Sequence, residues 1–128
     1  MKARTIFIAN AAIAAGYGIV FLVATKPLLA VYGIAPTREA VYMARWFGVG
    51  LLAIGMITWF ARDEAASPAG RAIARALTLS YGLGVLLAVW GTLAGPFNAL
   101  GWIAVAFNLV LSVAFGYLAT SPISSASA

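Results

Sequence analysis

The chain has 128 residues, of which 64% are apolar and 9% are charged, and its net charge is +5. A soluble domain has about 45–50% apolar residues and needs a larger polar surface, so this composition excludes a soluble protein and predicts a membrane protein. The chain has no cysteine and no histidine. Disulfide bonds, thiolate chemistry and histidine ligation of a metal or haem are therefore excluded, and we expect no cofactor and no metal site.

Four apolar runs follow one another along the chain, and each has about the 20 residues that a helix needs to cross the hydrocarbon core of a bilayer. The runs are continuous and rich in alanine and leucine, whereas a membrane β-barrel needs short strands of alternating polarity. We therefore predict an all-α fold with one membrane domain over residues 1–128, built as a bundle of four transmembrane helices. The predicted spans are residues 5–24, 42–61, 73–94 and 100–119.

Residues that start or stop helices lie between the runs. Pro27 lacks an N–H donor and should interrupt the first helix, and Gly33 should end any helical turn that follows. The expected N-caps of the next three helices are Thr37, Ser67 and Asn98. Residues 121–128 form a short polar tail, which we expect to be flexible.

Basic residues near the ends of the runs predict the orientation, because cytoplasmic loops carry the excess of lysine and arginine. A cytoplasmic N-terminus places five basic residues inside and three outside, which favours both termini in the cytoplasm. The inner residues are Lys2, Arg4, Arg62, Arg71 and Arg75, and the outer ones are Lys26, Arg38 and Arg45.

The same placement suits anionic lipid head groups better than nucleic acid, so the expected partner is the lipid bilayer. The candidates for head-group contacts are Arg62, Arg71 and Arg75. The alternatives are that these arginines pair with Asp63 and Glu64, or that they lie in a solvated loop.

Small and mildly polar residues recur every four residues in the spans, which puts each set on one helix face. Membrane helices associate where small residues let their backbones approach, so these faces predict a close bundle. The sets are Asn10, Ala14 and Gly18; Ala44 and Gly48, with Gly55 one heptad further; Ser80, Gly84, Ala88 and Thr92; and Ala104, Asn108, Ser112, Gly116 and Thr120.

Five polar residues inside the spans are candidates for helix contacts or for ligand binding. A polar group in hydrocarbon needs a partner, which is either another helix or a ligand. A cation one turn inside a span can instead reach the lipid phosphates. The candidates are Asn10, Tyr17, Arg45, Tyr81 and Asn108.

The acidic residues are Glu39, Asp63 and Glu64, and all three lie outside the predicted spans. A proton-coupled exporter normally needs an acid within the membrane, so this arrangement argues against one. Without histidine or cysteine the chain also lacks the usual pairing of a nucleophile with a base. We therefore do not expect an enzyme.

The segment Pro27–Ile34, the motif Arg45-x-x-Gly48 and the stretch from Trp59 to Arg62 resemble parts of small bacterial four-helix membrane families of unknown function. The resemblance covers about half of the chain. It implies a four-helix fold in a bacterial inner (cytoplasmic) membrane, and it implies no activity.

The leading functional hypothesis is a non-enzymatic accessory or interaction subunit of a larger membrane protein assembly. Its partner would be another membrane protein or further copies of the chain. The alternative is a binder or carrier of a small lipophilic molecule, held in a cleft lined by the five polar candidates.

Overall fold

The structure is a computed structural model that describes residues 2–121. Within that range there are five α-helices, a 3₁₀ turn at Arg62–Glu64 and no strand. The helices are α1 (Ala3–Val23), α2 (Thr25–Val31), α3 (Arg38–Phe60), α4 (Pro68–Leu93) and α5 (Gly101–Thr120).

All of these helices except α2 are long and apolar enough to cross a membrane. The predicted all-α fold with four transmembrane helices is therefore confirmed, and the predicted spans correspond to α1, α3, α4 and α5. The orientation with both termini in the cytoplasm stays a prediction. Apart from Ser121, the predicted polar tail lies outside the described residues.

The helix boundaries follow the local sequence chemistry. The Thr37 hydroxyl accepts the Ala40 N–H at 3.1 Å, and the Ser67 hydroxyl accepts the Gly70 N–H at 3.1 Å, so both predicted N-caps are confirmed. Gly33 has a φ of +77°, a left-handed conformation that ends the turn after α2.

The prediction for Asn98 was wrong, because α5 begins at Gly101 and its capping position is Leu100. Asn98 instead joins the α4–α5 turn to the end of α2. Its side-chain amide donates to the Val31 carbonyl at 3.0 Å, and its backbone N–H donates to the Tyr32 carbonyl at 2.9 Å. These bonds satisfy carbonyls that the end of α2 leaves open.

The molecule consists of two helical hairpins, because α1 packs mainly on α3 and α4 mainly on α5. The backbones of α1 and α3 touch: a Cβ added at Gly18 would lie 2.7 Å from the Gly48 carbonyl oxygen and 2.8 Å from the Leu52 nitrogen. A Cβ added at Gly55 would lie 2.8 Å from the Ala15 nitrogen. The predicted small faces of the first two spans are therefore in contact.

The second hairpin is held by a closely packed but more polar contact. The Ser112 hydroxyl donates to the Thr78 carbonyl at 3.1 Å, and a Cβ at Gly84 would overlap the Asn108 side chain. The predicted face of the third span is wrong at Ser80, which is exposed. Thr78 and Tyr81 take the inward positions on either side of it.

The two hairpins meet most extensively where α1 begins, α5 ends and the α3–α4 loop lies, which we call the terminal end. Phe7 and Phe115 are fully buried there, with ring centroids 5.7 Å apart. The opposite end, which carries α2 and the α4–α5 turn, is called the α2 end. The apolar cluster at the terminal end also contains Ile6, Ala65, Ala74, Leu77, Tyr81, Leu111 and Leu118.

Gly18→Ala should destabilise the first hairpin by about 1–3 kcal/mol, because its methyl group meets backbone atoms that cannot move aside separately. Gly16→Ala is the matched control on the same helix, since nothing lies within 4 Å of a Cβ at Gly16. Thermal unfolding of the purified variants in a mild detergent measures the difference. Equal melting temperatures for the two variants would contradict the close packing of α1 on α3.

Candidate functional site

A buried polar cluster connects α1, α3 and α4. The Tyr81 hydroxyl donates to Asn10 Oδ1 at 2.5 Å, and Asn10 Nδ2 donates to the Thr58 hydroxyl at 3.2 Å. Asn10 and Thr58 are both 0% exposed. The Thr58 hydroxyl lies 3.1 Å from the carbonyl oxygens of Ile54 and Gly55, so its own proton has an acceptor as well.

This cluster links helices and leaves no open polar group for a ligand. Both ends of the Asn10 amide and the Tyr81 hydroxyl are bonded within the protein, so none of them requires a ligand to offset its burial. Thr58 was not among the predicted residues. It could have been found in the sequence as a hydroxyl residue in an otherwise apolar run, because such a side chain can bond to a buried amide.

The other three candidates lie in different places. The Tyr17 ring packs edge-on against Phe107, with centroids 5.6 Å apart. Asn108 is half-buried and donates to the Ala104 carbonyl of its own helix at 2.8 Å, while Arg45 is exposed near the start of α3. The expectation that all five candidates line one cleft is therefore wrong, because only Asn10 and Tyr81 are brought together.

Tyr17 also lies near Tyr32, which follows α2 and packs on Phe97 with ring centroids 5.2 Å apart. Burial raises the pKa of Tyr32 above its ordinary value of 10.0, and the neighbouring Tyr17 raises it further. Tyr32 therefore stays protonated at neutral pH, so its side chain adds no charge to this contact between the hairpins.

The three predicted head-group arginines have different surroundings at the terminal end. The Arg62 guanidinium lies 4.1 Å from the centre of the Trp59 ring and donates to the Trp59 carbonyl at 2.6 Å. Its Nε is buried without a partner among the described residues. Arg71 is half-buried and Arg75 is exposed. Their contact with lipid stays a prediction.

An apolar groove of about 310 Å³ runs between α1 and α3 in the half near the terminal end. We call it the α1–α3 groove. Its accessible lining is apolar, and Trp59 and Phe60 form one wall. The other lining residues are Ile8, Ala11, Ala12, Ala15, Gly55 and Met56.

Beside this groove, α1 exposes a row of small residues. Thr5, Ala9, Ala12 and Gly16 are all exposed, and their spacing of four, three and four residues puts them on one face. We call this row the α1 small face. Ala12 belongs to both features, so the small face and the α1–α3 groove form one continuous surface.

A second groove, of about 720 Å³, is open at the α2 end and has a different chemistry. We call it the basic groove, because all three basic residues predicted for the outer side line it. The lining residues are Lys26, Pro36, Arg38, Glu39, Val41, Tyr42 and Arg45.

No protein-family model, curated protein or solved structure matches the chain. The resemblance to small bacterial membrane families therefore stays a prediction. Within residues 2–121 there is also no group of three or more acidic residues that could hold a metal ion.

Asn10→Leu should destabilise the protein by about 1–3 kcal/mol, because it leaves the buried Tyr81 hydroxyl without an acceptor. Tyr81→Phe removes only the donor and should cost about 0.6 kcal/mol, the average for a hydrogen bond between membrane helices. Ser80→Ala serves as the control, since Ser80 is exposed on α4. Thermal unfolding in detergent ranks the three variants, and a ranking with Ser80→Ala first would contradict the role of the cluster.

An ion pair at the terminal end gives the protein a sensitivity to acid. Arg4 Nε donates to Asp63 at 2.8 Å, and this hydrogen bond lowers the pKa of Asp63 below its ordinary value of 3.8. Both side chains are exposed, so the pair adds only a small stabilisation, which is present above pH 3.8 and is lost as the pH falls through the lower pKa of Asp63 in the folded protein.

Asp63→Asn should accordingly lower the melting temperature at neutral pH and have little effect once Asp63 is protonated in the wild type. The measurement compares thermal unfolding of wild type and variant at pH values well above and well below 3.8. An identical difference at both pH values would show that the pair does not link folding to protonation.

Proposed function

We propose that the protein is a non-enzymatic accessory subunit of a larger assembly in a bacterial inner membrane. It would bind a transmembrane helix of a partner protein through the α1 small face and the adjoining α1–α3 groove. The observation that carries this proposal is the exposure of small residues along α1, the helix that also packs most closely on α3.

The α1 small face has the properties that membrane helices use for association. Lipid tails are as apolar as leucine, so helices gain little by burying apolar side chains, and close backbone approach matters more. A Cβ at Gly16 would have nothing within 4 Å, so space is open beside that backbone. On the opposite side, Gly18 already provides such an approach to α3.

The α1–α3 groove adds shape to this surface. Helices pack by placing ridges of side chains into grooves, and an apolar lining suits the apolar ridge of a transmembrane helix. Trp59 and Phe60 stand along the groove and provide a large aromatic contact area. A partner helix beside Ala12 would contact the small face and the groove together.

The alternative, a carrier of a small lipophilic molecule, has less support. Asn10 and Tyr81 bond to each other, and Tyr17, Arg45 and Asn108 lie in separate surroundings. A carrier would need one cleft that contains unsatisfied polar groups, because ligand sites combine an apolar lining with a few polar groups that point at the ligand.

Gly16→Leu and Ala12→Leu should release the partner, because each fills the space that the partner backbone would occupy. The variants are expressed at the natural level, extracted in mild detergent and examined by native mass spectrometry for co-released subunits. The wild type should carry a membrane protein partner, and the two variants should be recovered without it.

Leu86→Phe is the control, since Leu86 is 68% exposed on α4 and lies outside the proposed surface. It should keep the partner. A wild type recovered only as a monomer, or as a homo-oligomer that resists Gly16→Leu, would overturn the proposal. A defined small-molecule adduct on that monomer would favour the carrier.

A further inference from the structure

We propose that the basic groove is a binding site for the phosphate group of an anionic phospholipid. Lys26 from α2 and Arg38 and Arg45 from α3 line one groove, and Glu39 is the only carboxylate among the lining residues. Three positive charges and one negative charge leave a net charge of +2 in the groove. This inference is independent of the proposed accessory function.

The positive charge of the basic groove is not neutralised within the protein. Among residues 2–121 the only ion pair is Arg4–Asp63, at the other end of the molecule. Arg38 is the first residue of α3, where the helix dipole is itself positive and disfavours a cation. An anion bound in the groove would offset two repulsions: the one among the three basic side chains, and the one between Arg38 and the helix dipole.

The arrangement along α3 favours a lipid over a small free anion. Arg38, Tyr42 and Arg45 are spaced four and three residues apart, so they form one row that extends about 10 Å along the helix axis. The row begins at the first residue of α3 and extends about two turns into the span. A phospholipid has the same order, with its polar head group outermost and its phosphate and glycerol deeper.

The surroundings match the remaining parts of such a molecule. Guanidinium groups bind phosphate oxygens through paired N–H donors, so Arg45 can hold the phosphate. Tyr42 packs edge-on against Trp46, with centroids 6.4 Å apart, and both are exposed at the level where aromatic residues meet lipid head groups. The exposed Val49 lies four residues beyond Arg45 on the same face of α3, where an acyl chain would follow.

The groove also offers more contacts to a lipid than a single arginine side chain that extends to the surrounding bilayer. Its volume of about 720 Å³ lies within the roughly 300–1,000 Å³ that is typical of ligand sites, and two separate helices supply its cations. Lys26 lies one residue before Pro27, in the first turn of α2. The lysine is therefore held by a helix next to the two arginines.

The test uses the full chain, purified in mild detergent and freed of native lipid. Phosphatidylglycerol and phosphatidylcholine are added in mixed micelles, and native mass spectrometry measures the bound fraction. The wild type should prefer phosphatidylglycerol. Arg45→Gln and Arg38→Gln should each weaken that binding by about tenfold, the loss expected for one hydrogen bond to a charged group.

Lys2→Gln is the control, because Lys2 is also basic and exposed but lies at the terminal end. It should leave the binding of phosphatidylglycerol unchanged, and circular dichroism confirms that each variant keeps its helices. Equal binding of the two lipids, or an equal loss in Lys2→Gln, would overturn the proposal. Displacement of the lipid by an equal concentration of inorganic phosphate would overturn the choice of a lipid.

Discussion

The buried amide of Asn10 is the constraint that fixes how the two hairpins meet, because its oxygen needs the donor that Tyr81 of α4 supplies. Each hairpin is held by its own packing, with glycine backbones in contact between α1 and α3 and polar contacts between α4 and α5. Lipid provides little hydrophobic force to bring two finished hairpins together. The fully buried amide of Asn10 favours their contact, because separating the two hairpins would leave its oxygen without a donor in hydrocarbon.

The interior and the exterior of the protein therefore have separate roles. The interior is closed around Asn10, Thr58 and the aromatic pair of Phe7 and Phe115. The exterior carries two surfaces of opposite character: an apolar one beside α1 and a basic one at the α2 end. Binding at either surface, as proposed, would leave this core unchanged.

The sequence was sufficient for the features that depend on local chemistry. Spans follow from apolar runs, and the N-caps at Thr37 and Ser67 follow from side chains that satisfy nearby backbone groups. The sequence was insufficient where partners come from distant segments. Asn98 bonds to α2 rather than capping α5, and Thr58 meets Asn10 across 48 residues, neither of which helical spacing can reveal.

The basic groove shows the same limit in another way. Spacing alone places Arg38, Tyr42 and Arg45 on one face of α3. It does not place Lys26 opposite that row. The position of Lys26 depends on where α2 turns back toward α3, which Gly33 and the bonds from Asn98 help to determine.

The position of Tyr81 in the chain has a consequence for biosynthesis. The donor of the hydrogen bond between the hairpins lies 71 residues after its acceptor, so the residues of α1 and α3 are synthesised before Tyr81. The Thr58 bond is available to the first hairpin, while the oxygen of Asn10 acquires its lasting donor only when α4 enters the membrane. The first hairpin thus has a polar oxygen without its α4 donor, which favours binding of the second hairpin. The two hairpins are therefore expected to form in sequence and then to associate.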